Sequence, residues 1–339
     1  MSARRLTIST IALVIGLSAC APAPSPSAPA SASARALRPV ILLLGFRPDV
    51  QFAPFYLAQQ EGYFADVGLD VTIEHSTDVL RLVADGQAEF GVADATDVMI
   101  SRSAGIPVKY VATLYDQFPV ALIAPAGESW WPTGTSTASL AGKRIGSPGR
   151  YGSSWHALLA MLAAGGLTAD DVTIREYPQY NQAQGLLSGE VDLITGFRNN
   201  EPLRLAAAGM QVQLLTVEQI APLPGPGVIA GDDLLASDPA LVEAFVAATV
   251  RAQVAIAADP NLGLQAAIVA VPTIASDTDT ALLVLKRTLE LWRVGGAPPT
   301  GQINTEVWAA GYATMRELGF IDGSVPVAEM FSVVAAGSR

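Results

Sequence analysis

Few residues in this chain have types and spacings that could do covalent chemistry. The two histidines, His75 and His156, are far apart in sequence, and the single cysteine, Cys20, stands near the start. No GxSxG elbow, HExxH pair or CxxC pair occurs, so neither a hydrolase nucleophile nor a metal cluster is spelled out. Each histidine is read as a surface or cap residue rather than a base. What recurs instead is the equipment of reversible binding. Phe46, Phe52, Tyr115, Phe118, Tyr151, Trp155 and Phe197 all fall at the ends of apolar runs rather than inside them. One such ring is ordinary edge packing, whereas so many in loops favour a binding slot for two or three. A well-placed stacked ring adds about 0.5–1.5 kcal/mol beyond its burial. The reading is a binding protein with no catalytic residue, no metal and no cofactor.

Polar groups accompany the rings. Gly149-Arg150-Tyr151-Gly152-Ser153-Ser154 precedes an apolar helical run. Its glycines free backbone N–H groups, and Ser153 or Ser154 could cap the helix; such a terminus suits an anion or a carbonyl oxygen. The stretch lacks the Lys-Ser/Thr ending of a nucleotide loop and the spacing of a dinucleotide fingerprint. Asp94, Thr96 and Asp97 follow the apolar run EFGVA, with Asp94 facing a cleft and Asp97 capping the next helix. Asn199, Asn200 and Glu201 precede Pro202 and offer donors and acceptors suited to hydroxyls. Arg47 either meets an acidic ligand or pairs with Asp49.

An internal duplication shows which elements must position these groups. Val71-Thr72-Ile73-Glu74 and Val172-Thr173-Ile174-Arg175 are matching strand signals, each following an earlier strand closed by Gly45 or Gly146. The segments 79–94 and 182–197 repeat a helix, a turn glycine (Gly86, Gly189) and a strand. Both copies end near a further strand, at 104–111 and 208–215. Short apolar strands alternating with helices predict an α/β fold with parallel-dominated sheets flanked by helices. Two copies predict two lobes: 39–125 plus 228–339 as lobe one, and 126–227 as lobe two. Strand 119–124 is expected to lead out of lobe one and strand 228–230 to lead back. The segment 125–138, with Trp130 and Trp131, reads as a surface excursion. Beyond Gly231 the pattern is helical, with Asp238, Asp277 and Asn304 as caps, and this segment should pack on lobe one and the hinge. Ligands of parallel sheets bind beyond the carboxyl ends of the strands, where all the groups named above fall.

The N-terminus reads as an address. Arg4 and Arg5 precede the apolar run Ile11–Leu17, which ends in Leu17-Ser18-Ala19-Cys20. A basic start, a short apolar stretch and small residues before a cut site predict a signal peptide over 1–19. The last four residues resemble a bacterial lipobox, so Cys20 is the expected lipidation (diacylation, palmitate-bearing) site, holding the protein at the extracytoplasmic face of the cell membrane. Residues 21–36 contain only Ala, Pro, Ser and one Arg, and a flexible tether is expected over 20–38. With a lone cysteine no intramolecular disulfide can form. The net charge of −11, without a basic stripe, argues against nucleic acid.

Between residues 45 and 74 the chain resembles the thiamine-pyrimidine-synthesis-like family of periplasmic solute-binding proteins. The residues that carry the likeness are Phe55-Tyr56-Leu57-Ala58, Glu61-Gly62-Tyr63-Phe64 and Gly68-Leu69-Asp70-Val71, continued by 82–94, 139–149 and 185–197. Within the family, Asp49-Val50-Gln51-Phe52-Ala53-Pro54-Phe55 is most similar to the riboflavin-binding lipoproteins of the RibY type. Members that bind thiamine precursors usually carry an Asn- and His-rich loop there. The synthases of the same fold carry a cysteine-rich run where this chain has Gly152-Ser153-Ser154-Trp155-His156. The resemblance implies a monomeric receptor with a two-lobed, type II periplasmic-binding-protein-like fold. It implies delivery of riboflavin to a RibX-type ABC permease and its ATPase. The strand-end loops supply the expected ligand contacts: Arg47, Asp49, Gln51, Phe52, Asp94, Thr96, Tyr115, Phe118, Tyr151, Ser153, Ser154, Trp155, Asn199 and Glu201. A thiamine pyrimidine, another small heteroaromatic, or a sulfonate or nitrate is the alternative ligand, and an exported heterocycle-processing enzyme the alternative class.

Overall fold

A computed structural model describes residues 36–134, 136–293 and 296–334; the leader, Cys20 and nearly all of the spacer lie outside them. The strands are β1 (Arg38–Leu44), β2 (Leu69–His75), β3 (Phe90–Ala93), β4 (Val108–Thr113), β5 (Val120–Pro125), β6 (Arg144–Ser147), β7 (Thr173–Glu176), β8 (Leu193–Phe197), β9 (Val212–Thr216) and β10 (Gly227–Gly231). The helices that precede the tail are α1 (Ala53–Gln60), α2 (Tyr63–Asp66), α3 (Val79–Ala84), α4 (Ala95–Ser103), α5 (Gly152–Ala164), α6 (Gln182–Leu187) and α7 (Glu201–Ala207). The tail adds α8 (Asp232–Ser237), α9 (Pro239–Ala258), α10 (Pro260–Ala270), α11 (Thr278–Leu291) and α12 (Thr305–Glu317).

Two five-stranded sheets carry the duplication, in the orders β2-β1-β3-β10-β4 and β7-β6-β8-β5-β9. In each, the first three strands are parallel, with Val40 opposite Val71 and Leu42 opposite Phe90 in one, and Ile145 opposite Ile174 and Leu193 in the other. The fourth strand runs against both neighbours and has crossed over from the other half of the chain. The expected boundary at residue 125 therefore needs correction. β5 belongs to the second sheet, where Leu122 faces Thr195 and Leu215. Its residues Val120–Ala124 are all buried, so it needs neighbours on both edges, and the matching slot in the first sheet is filled by β10.

Local chemistry accounts for most boundaries. β1 is apolar on both faces (Val40, Leu42, Leu43, Leu44) because helices cover both sides, whereas the edge strand β7 is largely exposed. Gly91 in β3 lets α3 lie against the sheet; a Cβ there would come within 2.3 Å of Val79. Asp238, Asp277 and Asn304 cap α9, α11 and α12 as expected, accepting from the amides of Leu241, Thr280, and Glu306 with Val307. Phe245 of α9 stacks on Phe90 at 4.0 Å and on Phe64 at 5.2 Å, fastening the tail to the first sheet. α9 has the length and apolarity of a membrane span, but its buried Val242, Phe245 and Ile256 make it a core helix. A second core lies between the sheets, where α4 meets α5 and Met99, Leu158 and Met161 are fully buried.

Candidate functional site

The carboxyl ends of the strands converge on one cavity of about 260 Å³. The first half of the chain contributes Phe46, Gln51 and Phe52 after β1, Thr77 and Asp78 after β2, and Asp94 and Asp97 after β3. The second contributes Tyr151, Ser153 and Ser154 after β6, Tyr180 and Gln182 after β7, and Phe197, Asn200 and Glu201 after β8, and Tyr115 lies on the crossing between the sheets. The volume lies just below the range of about 300–1,000 Å³ usual for small-molecule sites, and six aromatic rings border it.

Several contacts join the two walls. Phe46 meets Tyr180 edge-on, with ring centres 4.7 Å apart. Tyr180 has φ of +55°, the left-handed region, alone among the described residues other than glycine. A bulky side chain held there stores strain, which concentrates at binding and active sites. Asp94 Oδ2 accepts from the Ser153 amide at 3.1 Å, so a carboxylate of the first half occupies the N-terminus of α5. The expected cap by Ser153 or Ser154 is thereby replaced by Asp94. Gly152 has φ of +69°, and a Cβ on it would stand 3.8 Å from an oxygen of both Asp94 and Asp97. Tyr151 is 53% exposed, its ring folded back over Gly149, where a Cβ would be 2.2 Å from the ring.

The electrostatics of the walls are one-sided. Among the described lining residues Asp78, Asp94, Asp97 and Glu201 are acidic, and none is lysine, arginine or histidine. Burial raises the pKa of Asp94, and burial together with the neighbouring Asp94 raises Asp97 well above the usual carboxylate range. Glu201 is likewise pushed up by burial, although its Oε2 accepts from the Phe197 amide at 2.8 Å. Two lining amides carry buried atoms without partners. Gln182 donates to Thr195 O at 3.2 Å and leaves Oε1 unpartnered, and Gln51 leaves Nε2 unpartnered. Among the described residues no group of three His, Cys, Asp or Glu side chains could hold a metal ion.

Of the expected contacts, Gln51, Phe52, Asp94, Tyr115, Tyr151, Ser153, Ser154 and Glu201 reach the cavity and six do not. Asp49 is buried and takes the Arg204 guanidinium at 2.9 Å instead of Arg47. Arg47 is exposed, 5.4 Å from the Phe46 ring centre. Thr96 is fully buried, its Oγ1 2.9 Å from His156 Nδ1. Phe118 is fully buried in the core between the sheets. Trp155 turns with the face of α5 that packs on that core, and the Arg150 guanidinium covers its ring at 5.3 Å. Asn199 donates to Thr288 of α11 at 2.7 Å.

Of the histidines, His75 is exposed as expected and His156 is not. His156 is 3% exposed, edge-on to Phe320 at 4.6 Å, and burial lowers its pKa to about 4. His75 hydrogen-bonds Phe46 O at 2.5 Å and so shapes the loop after β1. The cavity residues not singled out beforehand, Thr77, Tyr180 and Gln182, sit at strand ends already marked as the binding edge. Nothing in their local sequence separates them from ordinary loop residues.

Residues 49–262 match the model of the family described as NMT1/THI5 like. The chain is 31% identical over 304 residues to the riboflavin-binding protein RibY of Chloroflexus aurantiacus, covering 87% of this chain and 85% of that one. It is 26% identical over 238 residues to the 4-amino-5-hydroxymethyl-2-methylpyrimidine phosphate synthase of Aspergillus parasiticus, covering 65% and 67%. Among solved structures, the alkanesulfonate-binding protein SsuA of Xanthomonas axonopodis pv. citri superposes with a TM-score of 0.67 at 20% identity, covering 88% and 100%. The structural likeness is one of fold, the periplasmic binding protein fold. The chain belongs to the NMT1/THI5-like family.

Proposed function

We propose that this protein is the solute-binding component of an ABC importer, that it captures riboflavin in the cavity between its sheets, and that lipid on Cys20 anchors it at the extracytoplasmic membrane face. The observation that carries the reading is the ring-lined cavity at the strand ends, with Phe46, Phe52, Tyr115, Tyr151, Tyr180 and Phe197 around it. Rings give a flat heteroaromatic its stacking surface, and the seryl hydroxyls and carboxyls suit a polyhydroxylated tail. Similarity to a riboflavin-binding protein over most of both chains supports this ligand before the thiamine pyrimidines. Among the described lining residues no histidine or lysine stands beside the seryl hydroxyls as a base, which favours capture and release over turnover. Its partners on this reading are a RibX-type permease and its ATPase, engaged by the protein as a monomer.

A binding panel tests the ligand. Ligand-stripped protein is titrated with riboflavin, the thiamine pyrimidine, nitrate and a sulfonate. Riboflavin should quench saturably at one equivalent; a silent riboflavin arm beside a binding pyrimidine or sulfonate would overturn the ligand and keep the receptor. Conversion of any bound ligand to product would overturn the receptor itself. Mass spectrometry of membrane-extracted protein should find an acylated Cys20 at the mature N-terminus, and an intact or differently cut N-terminus would remove the anchor.

A further inference from the structure

The N-termini of helices on strand-end loops are the usual places for a ligand's anionic group, because free N–H groups and the helix dipole converge there. In this protein the longest helix that starts at the cavity, α5, already has its N-terminus taken by a carboxyl of the chain. Asp94 accepts from Ser153 at the start of α5. A second lining carboxyl, Glu201, accepts from the Phe197 amide at the end of β8. Asp97 stands beside Asp94 on the same wall, and the lining holds no cationic side chain among the described residues. The guanidiniums of Arg204 and Arg47, whose charges reach Glu201, lie outside the lining. Arg204 is held by Asp49 at 2.9 Å and by Asn200 at 2.5 Å, and Arg47 is exposed over Phe46. The partnerless Gln51 Nε2 and Gln182 Oε1 add one neutral donor and one neutral acceptor, the complement of an uncharged imide or amide edge.

We propose that this cavity accepts its ligand only in an uncharged form rich in hydrogen-bond donors and rejects the phosphorylated form of the same molecule. The specificity is then a matter of charge, set by Asp94, Asp97 and Glu201. A phosphate ester carries about −1.5 to −2 charges at neutral pH. In this cavity it would lose water and meet carboxyls, with no cationic side chain among the described lining residues. Ionised carboxyls repel it, and a protonated one, which can donate a single hydrogen bond, still leaves its two negative charges unbalanced. Hydroxyls and ring N–H groups, by contrast, can donate to these carboxyls. An importer with such a receptor takes up a dephosphorylated vitamin, so a kinase reaction inside the cell must follow if the phosphorylated form is the one used.

The inference rests on the riboflavin reading for its probe pair, riboflavin and riboflavin 5′-phosphate. Both are titrated against ligand-stripped wild-type protein by flavin fluorescence at low salt and neutral pH. The phosphate should bind about tenfold or more weakly than riboflavin. Asp97→Asn should narrow that ratio by improving the phosphate. Equal affinities in wild type overturn the charge rule and leave the riboflavin reading intact. If neither flavin binds, the riboflavin reading fails instead, and 4-amino-5-hydroxymethyl-2-methylpyrimidine against its phosphate decides the rule in the same way. If no member of either pair binds, both fall.

Discussion

Acidification should act on this protein through His156 with a predictable sign. The imidazole is 3% exposed between α4 and α5, near Thr96 and Phe320, and burial lowers its pKa from 6.5 to about 4. The unfolded chain binds a proton there from about pH 6.5 downward, whereas the native protein does not until about pH 4. The stability from a neutral, buried His156 is thus complete above pH 6.5 and lost as pH falls toward 4. That depression, from 6.5 to about 4 at roughly 1.4 kcal/mol per pH unit, gives an upper value of about 3 kcal/mol. Asp94, Asp97 and Glu201 act with the opposite sign: their raised pKa values favour the native state at low pH, and that advantage is lost as pH rises through them. The raw pH–stability curve therefore mixes both signs, and a difference measurement isolates His156. Urea unfolding of wild type and His156→Gln is followed by tryptophan fluorescence at several pH values from 7 to about 4.5. The stability of wild type relative to the variant should fall by about 2–3 kcal/mol across that range. A difference that stays constant with pH would refute the reasoning, since a group that titrates alike in both states cannot contribute a slope.

Substitutions at four other sites have defined outcomes. Tyr151→Ala should weaken riboflavin binding about 5- to 100-fold with an unchanged melting temperature, because the ring is half exposed, while Trp155→Ala should lower unfolding free energy by about 1–3 kcal/mol and leave affinity in place. Calorimetric melts beside flavin titrations separate the two. Gly196→Ala would put a Cβ 2.8 Å from Glu201 Cγ, forcing that side chain off the Phe197 amide; a loss of about 1–3 kcal/mol in thermal unfolding is expected, together with weaker binding. Arg204→Ala leaves the buried Asp49 carboxylate unpaired and should cost about 1–3 kcal/mol by denaturant titration, with Arg204→Lys recovering part of it.

Much of this molecule was legible in the order of its residues. The duplicated strand and helix signals, the turn glycines Gly86 and Gly189, and the caps Asp238, Asp277 and Asn304 are local features, and the structure has them where the sequence put them. Local patterns also named the strand ends as the binding edge, because in a parallel sheet every strand ends on the same side. What each side chain does at that edge required the tertiary structure. Asp94 and Ser153 are brought to 3.1 Å by sheet packing alone, and the same packing pairs Asp49 with Arg204 rather than with its neighbour Arg47. Trp155 and Ser154 lie one residue apart on α5, yet a helix turns its faces so that Ser154 lines the cavity and Trp155 packs on the core. β5 fits either half by composition, and its place between β8 and β9 follows from β10 occupying the equivalent slot. Periodicity is written in neighbours along the chain and survives in the sequence. Partner choice across hundreds of residues depends on which burial leaves the fewest polar groups and strand edges unpaired, and only the folded chain decides it.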